Sequence, residues 1–223
     1  MTRALNEADI VECFVRHTSA FVAHHVIMDD GSSDGTIDIL TALKREGMPL
    51  SVHQGKSISY NESDTLTLLY QEACRTHAPD WVLCVDADEF IDDRKLAGGL
   101  HQYLQQLLDS NQAADYLSIP MVNYAATSQD NADETIVPVR MRKRLQPSDV
   151  PKIVIRGNLI DQDIRIAHGS HWASLKHRPA TQLPEPRLWL AHYSERSPYQ
   201  PSASSDIGPS MSGRFQPPMR AEL

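Results

Sequence analysis

Hydrophobic and polar positions alternate in blocks along the first half of the chain, and the period of each block predicts its element. Ile10, Val11, Phe14, Val15 and Phe21 recur at helical spacing after Asn6 and Glu7, which predicts an amphipathic helix over 7–20. Val26, Ile27 and Met28 then read as a strand that runs into the turn-forming stretch DDGSSDGT, 29–36. Ile37, Ile39, Leu40 and Leu43 fit a helix ending near Gly47, residues 51–53 a short strand, and residues 61–77 a long helix with Leu66, Leu69, Tyr70, Ala73 and Cys74 on its inner side. Trp81 to Val85 are five apolar residues without alternation, as in a strand covered on both faces, and a helix is predicted over 93–108.

This order predicts an α/β fold: a mostly parallel sheet with right-handed crossovers and flanking helices, Trp81–Val85 at its centre. After Asp115 the texture changes to short β-prone segments, 116–124, 135–143, 152–156 and 188–193, expected to extend or flank the main sheet. Residues 1–197 read as a single domain, and the Pro- and Ser-rich tail 198–223 as poorly ordered.

Composition narrows the function. A net charge of -8 argues against a nucleic-acid partner, since duplex affinity rests on cations that neutralise phosphates. Cys13, Cys74 and Cys84 are far apart in apolar contexts and read as reduced core residues of an intracellular protein. No run approaches the roughly 18 apolar residues of a transmembrane segment. The expected location is the cytoplasm, with peripheral attachment at a membrane compatible with the same sequence.

The chemistry concentrates at two acidic loops, Asp29-Asp30 and Asp86 to Glu89, each following the carboxyl end of a predicted strand, the edge where open α/β sheets bind ligands. If the chain stays extended, Asp86 and Asp88 share one side. Two carboxylates leaving a buried strand repel each other, and a hard divalent cation with room for a substrate phosphate relieves them. Acidic residues at a strand end also cap helices, so either loop alone is a weak signal.

Taken together, the segments resemble a glycosyltransferase of family 2, in the bacterial branch that carries a DxDEF-type signature on a GT-A fold. Asn6-Glu7 matches the branch's early NE, HHVIMDDGSSDGT (24–36) its nucleotide-binding strand and loop, and VDADEF (85–90) its DxD motif. HGSHW (168–172) and LAHYSERSPYQ (190–200) are similar to its closing segments. The resemblance implies that Asp30 contacts the nucleotide base, that Asp86 and Asp88 hold the metal and the sugar nucleotide's diphosphate, and that His192 completes the metal site with Arg196 and Ser197 nearby. It implies a metal-dependent, inverting transfer of a sugar from a nucleotide-diphosphate donor to a glycan, lipid-linked or protein acceptor, with manganese or magnesium as the ion. Glu89, His171 and Trp172 are candidates for contact with the sugar or acceptor. The catalytic base stays open among Asp130, Asp133 and Glu134. The first strand of the family is missing or reduced to MTRAL, 1–5. The alternative is a non-catalytic or decayed transferase-like domain that binds glycan or a partner protein. The basic cluster Arg140, Arg142, Lys143 and Arg144 reads as a solvated strand edge or a holder of phosphate or an anionic acceptor.

Overall fold

The computed structural model describes residues 1–55, 62–110 and 114–196. The tail 198–223, Ser197 and Asn61, the predicted start of the long helix, lie outside the described residues. Strands β1 (Thr2–Ala4), β2 (His25–Asp29) and β3 (Leu50–Gln54) form a parallel sheet in the order β1-β2-β3. The segment expected to be a missing or reduced first strand does pair: Thr2, Arg3 and Ala4 lie opposite Ile27, Met28 and Asp29. Helices α1 (Val11–Thr18) and α2 (Thr36–Arg45) connect these strands, and α3 (Glu62–His77) leads to β4 (Trp81–Cys84). Met1 N donates to Leu83 O at 2.7 Å and Val85 N to Met1 O at 3.3 Å, the staggered pattern of a parallel bridge. The carboxyl ends of β1, β2 and β4 therefore share one edge.

The sheet is less parallel than the sequence suggests. On its other side β4 pairs antiparallel with β9 (Lys152–Arg156), which pairs antiparallel with β6 (Tyr116–Ile119), and β12 (Gln182–Pro184) runs parallel to β6. A further sheet has the order β5-β13-β7-β8, with β5 (Glu89–Asp92), β7 (Met121–Ala125), β8 (Lys143–Pro147) and β13 (Trp189–Glu195). The run 116–124, read as one segment, is split between two sheets at Pro120, which has no N–H to continue a ladder. Residues 135–143, read as β-prone, instead contain the one-turn helix α5 (Val137–Arg140), with Pro138 in its first turn. Strands β10 (Ile164–Ile166) and β11 (Ala173–Leu175) form a small hairpin.

The helix predicted from residue 93 begins later, as α4 (Gly99–Asp109). Gly98 and Gly99 both have positive φ, 79° and 78°, which breaks any right-handed helix coming from residue 93, and Asp93 Oδ2 accepts from Leu100 N at 2.9 Å in the first turn of α4. Phe14 and Val15 of α1, Ile27, Leu83, Phe90, Leu117 and Leu190 share one hydrophobic core. Each such side chain contributes roughly 1.5–3 kcal/mol on burial. Phe90, Tyr193 and Tyr124 continue it as an aromatic row, with centroids 5.5 Å and 5.0 Å apart. The core thereby fixes β5, β7 and β13 behind the acidic edge.

Candidate functional site

The Asn6-Glu7 pair and the glycine-rich loop are stitched together. Asn6 Oδ1 accepts from Ser33 N at 2.8 Å, Asn6 N donates to Ser32 Oγ at 2.9 Å, and Glu7 N donates to Thr36 Oγ1 at 2.8 Å. Asp29 is buried and closes its own turn, accepting from Gly31 N and Ser32 N at 3.1 Å each. Asp30 is the member of the pair left for other work. Arg3 Nε donates to its Oδ2 at 2.9 Å and Arg3 Nη2 reaches the same atom, so both bonds fall on one oxygen. Arg3 also lies 3.1 Å from Glu62, which receives Gly169 N at 2.9 Å and pairs with exposed His168 at 2.6 Å.

At the second loop the extended-chain premise fails. After Val85 the chain turns, with Glu89 N donating to Asp86 O at 3.2 Å, and Asp86 and Asp88 go to different partners. Lys152, only 3% exposed at its side chain, places its ammonium 2.5 Å from Asp86 Oδ2 and 3.1 Å from Glu89 Oε1. Burial opposes the Lys152 charge, but Glu89 and Asp86 outweigh it and raise the ammonium's pKa above its ordinary value. Asp88, Glu89 and His192 instead converge, with one ligand atom from each within 4.8 Å of the others. The residues that could together hold a cation are therefore Asp88, Glu89 and His192, while Asp86, expected among the ligands, is paired with Lys152. Glu89, expected at the sugar or acceptor, is fully buried and accepts from Asp86 N at 3.0 Å, so it faces inward.

The register of β13 produces this convergence. His192 lies opposite Glu89 on β5 and Asn123 on β7, and Tyr193 N donates to Asp88 O at 3.0 Å. His192 Nδ1 contacts Asn123 Oδ1 at 2.8 Å while Nε2 lies 3.4 Å from Asp88 Oδ2. In the neutral ring with Nδ1–H donating to the amide oxygen, Nε2 carries a lone pair for a ligand, and in the charged ring Nε2–H faces Asp88. A slip of one residue would turn His192 to the opposite face. Burial works against the charged forms here, yet the hydrogen bond between Asp88 and His192, reinforced by their charges, holds the Asp88 carboxyl below its usual range and lifts the imidazole above its own. Burial pushes the Glu89 carboxyl up to about 7, against the pull of Lys152.

Arg196, expected at the nucleotide sugar, is buried and bonded to protein: Nη2 to Glu7 Oε2 at 2.6 Å, Nε to Asp9 Oδ2 at 2.8 Å, Nη1 to Tyr193 O at 3.1 Å. Its Nη1 lies 3.6 Å from Asp88 Oδ2, so it braces the ligand cluster. His171 Nδ1 contacts Pro151 O at 2.7 Å, next to Lys152, and Trp172 beside it is 53% exposed. Of the base candidates, Asp130 has both oxygens engaged by Thr127, at 2.9 and 2.8 Å, and Glu134 Oε1 accepts from Ile136 N at 2.8 Å. Lys152 and Asn123 escaped the sequence reading. The one available signal was a lysine directly before the apolar run Ile153, Val154 and Ile155. A separate hollow of about 330 Å³ opens beside Trp81, His77 and Leu104 at the amino end of β4, and none of the candidate residues lines it. Among the described residues no helix is long and apolar enough to cross a membrane.

No family model matches the chain, and no curated protein matches it. Among solved structures it is similar to residues 1–349 of S. aureus TarS in complex with UDP, at 18% identity and a TM-score of 0.50, over 83% of this chain and 59% of that one. HddC from Yersinia pseudotuberculosis aligns at 8% identity and a TM-score of 0.40, over 80% of this chain and 78% of that one. The likeness to TarS shows a shared GT-A-like fold, and the chain spans about three-fifths of the length of that structure.

Proposed function

We propose that the protein transfers a sugar from a nucleoside-diphosphate donor to a glycan, lipid-linked or protein acceptor, using a divalent cation, manganese or magnesium, at Asp88, Glu89 and His192. The carrying observation is the convergence of two carboxylates and an imidazole within 4.8 Å at the strand edge of a fold shared with a UDP-bound structure. Ligand atoms at about 2.0–2.2 Å from one ion stand roughly 3–4 Å apart, so small adjustments close this set. The mix of carboxylate and imidazole suits manganese well. Once bound, the ion supplies Lewis-acid neutralisation of the diphosphate.

The chain's own residues would do the rest. Asp30 keeps Oδ1 for a base N–H, because Arg3 takes Oδ2. Asp86, tied to Lys152, serves the site through water, and its ammonium partner adds positive charge beside the leaving diphosphate. His171 and Trp172 are the candidates for contact with the sugar, Trp172 offering an exposed ring to stack on. In an inverting displacement the acceptor oxygen bonds to the anomeric carbon as its bond to the diphosphate oxygen breaks, and the acceptor proton passes to a carboxylate. Asp133 and the second oxygen of Glu134 are the freer acceptors for it.

Calorimetry of UDP, GDP and dTDP with and without manganese tests the reading. Binding of one of them only with the metal, lost in Asp88→Asn, is expected; no metal-dependent affinity for any overturns it. The local engagement of Asp130 and Glu134 favours a second reading, a non-catalytic glycan- or partner-binding domain. That reading prevails if the protein binds nucleotide yet transfers or hydrolyses no donor across a panel of nucleotide sugars.

A further inference from the structure

β7 lies against the ligand cluster through Asn123, and the chain it sends onward encloses a second hollow. From Thr127 the chain loops out and returns through α5 to β8, and between outgoing and returning segments lies a cavity of about 550 Å³. Thr127, Asp130 and Glu134 form one wall, and Arg140, Arg142 and Lys143 the other. Arg140 ties the cavity to the candidate site: its Nη2 donates to Arg196 O at 3.2 Å, and Arg196 Nη1 is 3.6 Å from Asp88. The cavity thus sits one residue away from the ligand cluster, on the side where β7 and β13 end.

Three of the cations on its walls have no carboxylate close by among the described residues. Arg3, Arg16, Arg94, Arg178, Arg187 and Arg196 each have a carboxylate within 4.0 Å. Arg140, Arg142 and Lys143 have none among the described residues. Arg140 donates only to the carbonyls of Glu134, at 3.4 Å, and Arg196, and Arg142 Nε to Val139 O at 3.0 Å. Each guanidinium has five N–H donors, so most stay free. The two acids that face these cations are turned to backbone and hydroxyl partners, Asp130 to Thr127 and Glu134 to Ile136. Three cations with no carboxylate within 4.0 Å among the described residues, gathered around one cavity of a protein of net charge -8, hold the donors that an oxyanion accepts from.

We propose that this cavity binds an anionic group of the acceptor, a phosphate or a carboxylate, so that the transfer goes to an acidic acceptor. The inference rests on the transferase reading for the word acceptor, and on the cavity alone for the anion. Arginine's planar fork matches both oxyanions, and three cations in one hollow favour a group with more than one charged oxygen. The exposure of Arg142 and Lys143 implies modest affinity that weakens as salt is added.

The test uses the full chain without nucleotide or metal, titrated calorimetrically with inorganic phosphate and separately with glucuronate. Saturable binding of at least one anion is expected, weakened about tenfold or more in the double variant R142E/K143E, whose side chains lie on the surface. The stronger ligand tells whether phosphate or carboxylate is the preferred group. A variant with an unchanged melting temperature and unchanged anion affinity overturns the proposal, as does failure of both anions to bind the wild type. Manganese-dependent UDP affinity, measured on the same two proteins, separates the two claims. If it holds in both while neither anion binds, only the cavity proposal falls; if it is absent while an anion binds in an R142E/K143E-sensitive way, the transferase reading falls and an anion site stands.

Discussion

The two acidic loops look alike in sequence and end in different chemistry. Asp30 leaves β2 and meets Arg3, a half-buried guanidinium from the neighbouring strand. The loop after β4 meets partners from two distant segments: Lys152 of β9 takes Asp86 and part of Glu89, while His192 of β13 and Arg196 just after it take Asp88. One loop has a single cation and keeps an oxygen in hand, and the other divides its carboxylates between an ammonium and an imidazole. What a carboxylate can do is decided by what the fold brings to it.

The sharpest test of that contrast is to remove each loop's cation. Lys152→Met leaves Glu89 buried without its partner, and loss of one member of a buried pair costs about 3–5 kcal/mol, so chemical denaturation should show a loss of that size. Arg3→Met, at a more exposed pair, should cost about 1 kcal/mol or less in the same assay. Equal losses would dissolve the distinction. Next in size, Asp88→Asn should weaken manganese-dependent UDP binding by on the order of 100-fold or more, since it takes a ligand from the ion. Asp30→Asn should leave manganese affinity intact and weaken UDP about tenfold, the effect of one hydrogen bond of about 1.4 kcal/mol.

Acidity gives a further handle. Burial pushes the Glu89 carboxyl up to about 7, and the hydrogen bond and charge of Asp88 raise the His192 imidazole against burial. A proton on Glu89 competes with the cation as pH falls below about 7, and the raised His192 imidazole acts in the same direction. Manganese affinity measured by calorimetry should therefore rise from pH 6 to 8, with the same slope in Asp30→Asn. A flat profile would remove Glu89 from the ligand set. Smallest, Asn123→Ala frees the His192 ring and should cost roughly tenfold in manganese affinity, the lower end for an outer-shell partner.

Much of the first half was legible because its signals are local. Period and turn residues placed α1, β2, α2, β3 and α3 within a few residues, and in the fold the Asn6-Glu7 and DDGSSDGT segments are hydrogen-bonded to each other. Misreadings arose where a distant segment decides. Nothing near Asp86 announces that Lys152, 66 residues on, will hold it, and extending the strand's period through Ala87 missed the turn. Glu89 reads as exposed chemistry beside two aspartates, yet β13 covers it. The late start of α4 was readable in the Gly98-Gly99 pair, whose positive φ values make it a barrier to a helix begun at residue 93.

Arg196 clasps Glu7 and Asp9 across nearly the whole described chain, 189 and 187 residues away. During synthesis the early strands and helices can form while the clasp is still unmade. His192 and the brace beside Asp88 arrive only with β13, so a nascent chain stalled before residue 189 would carry the acidic loops without the capacity to retain a cation. Assembly of the Asp88, Glu89 and His192 cluster is then a late step of folding, one that waits for β13 to find its register.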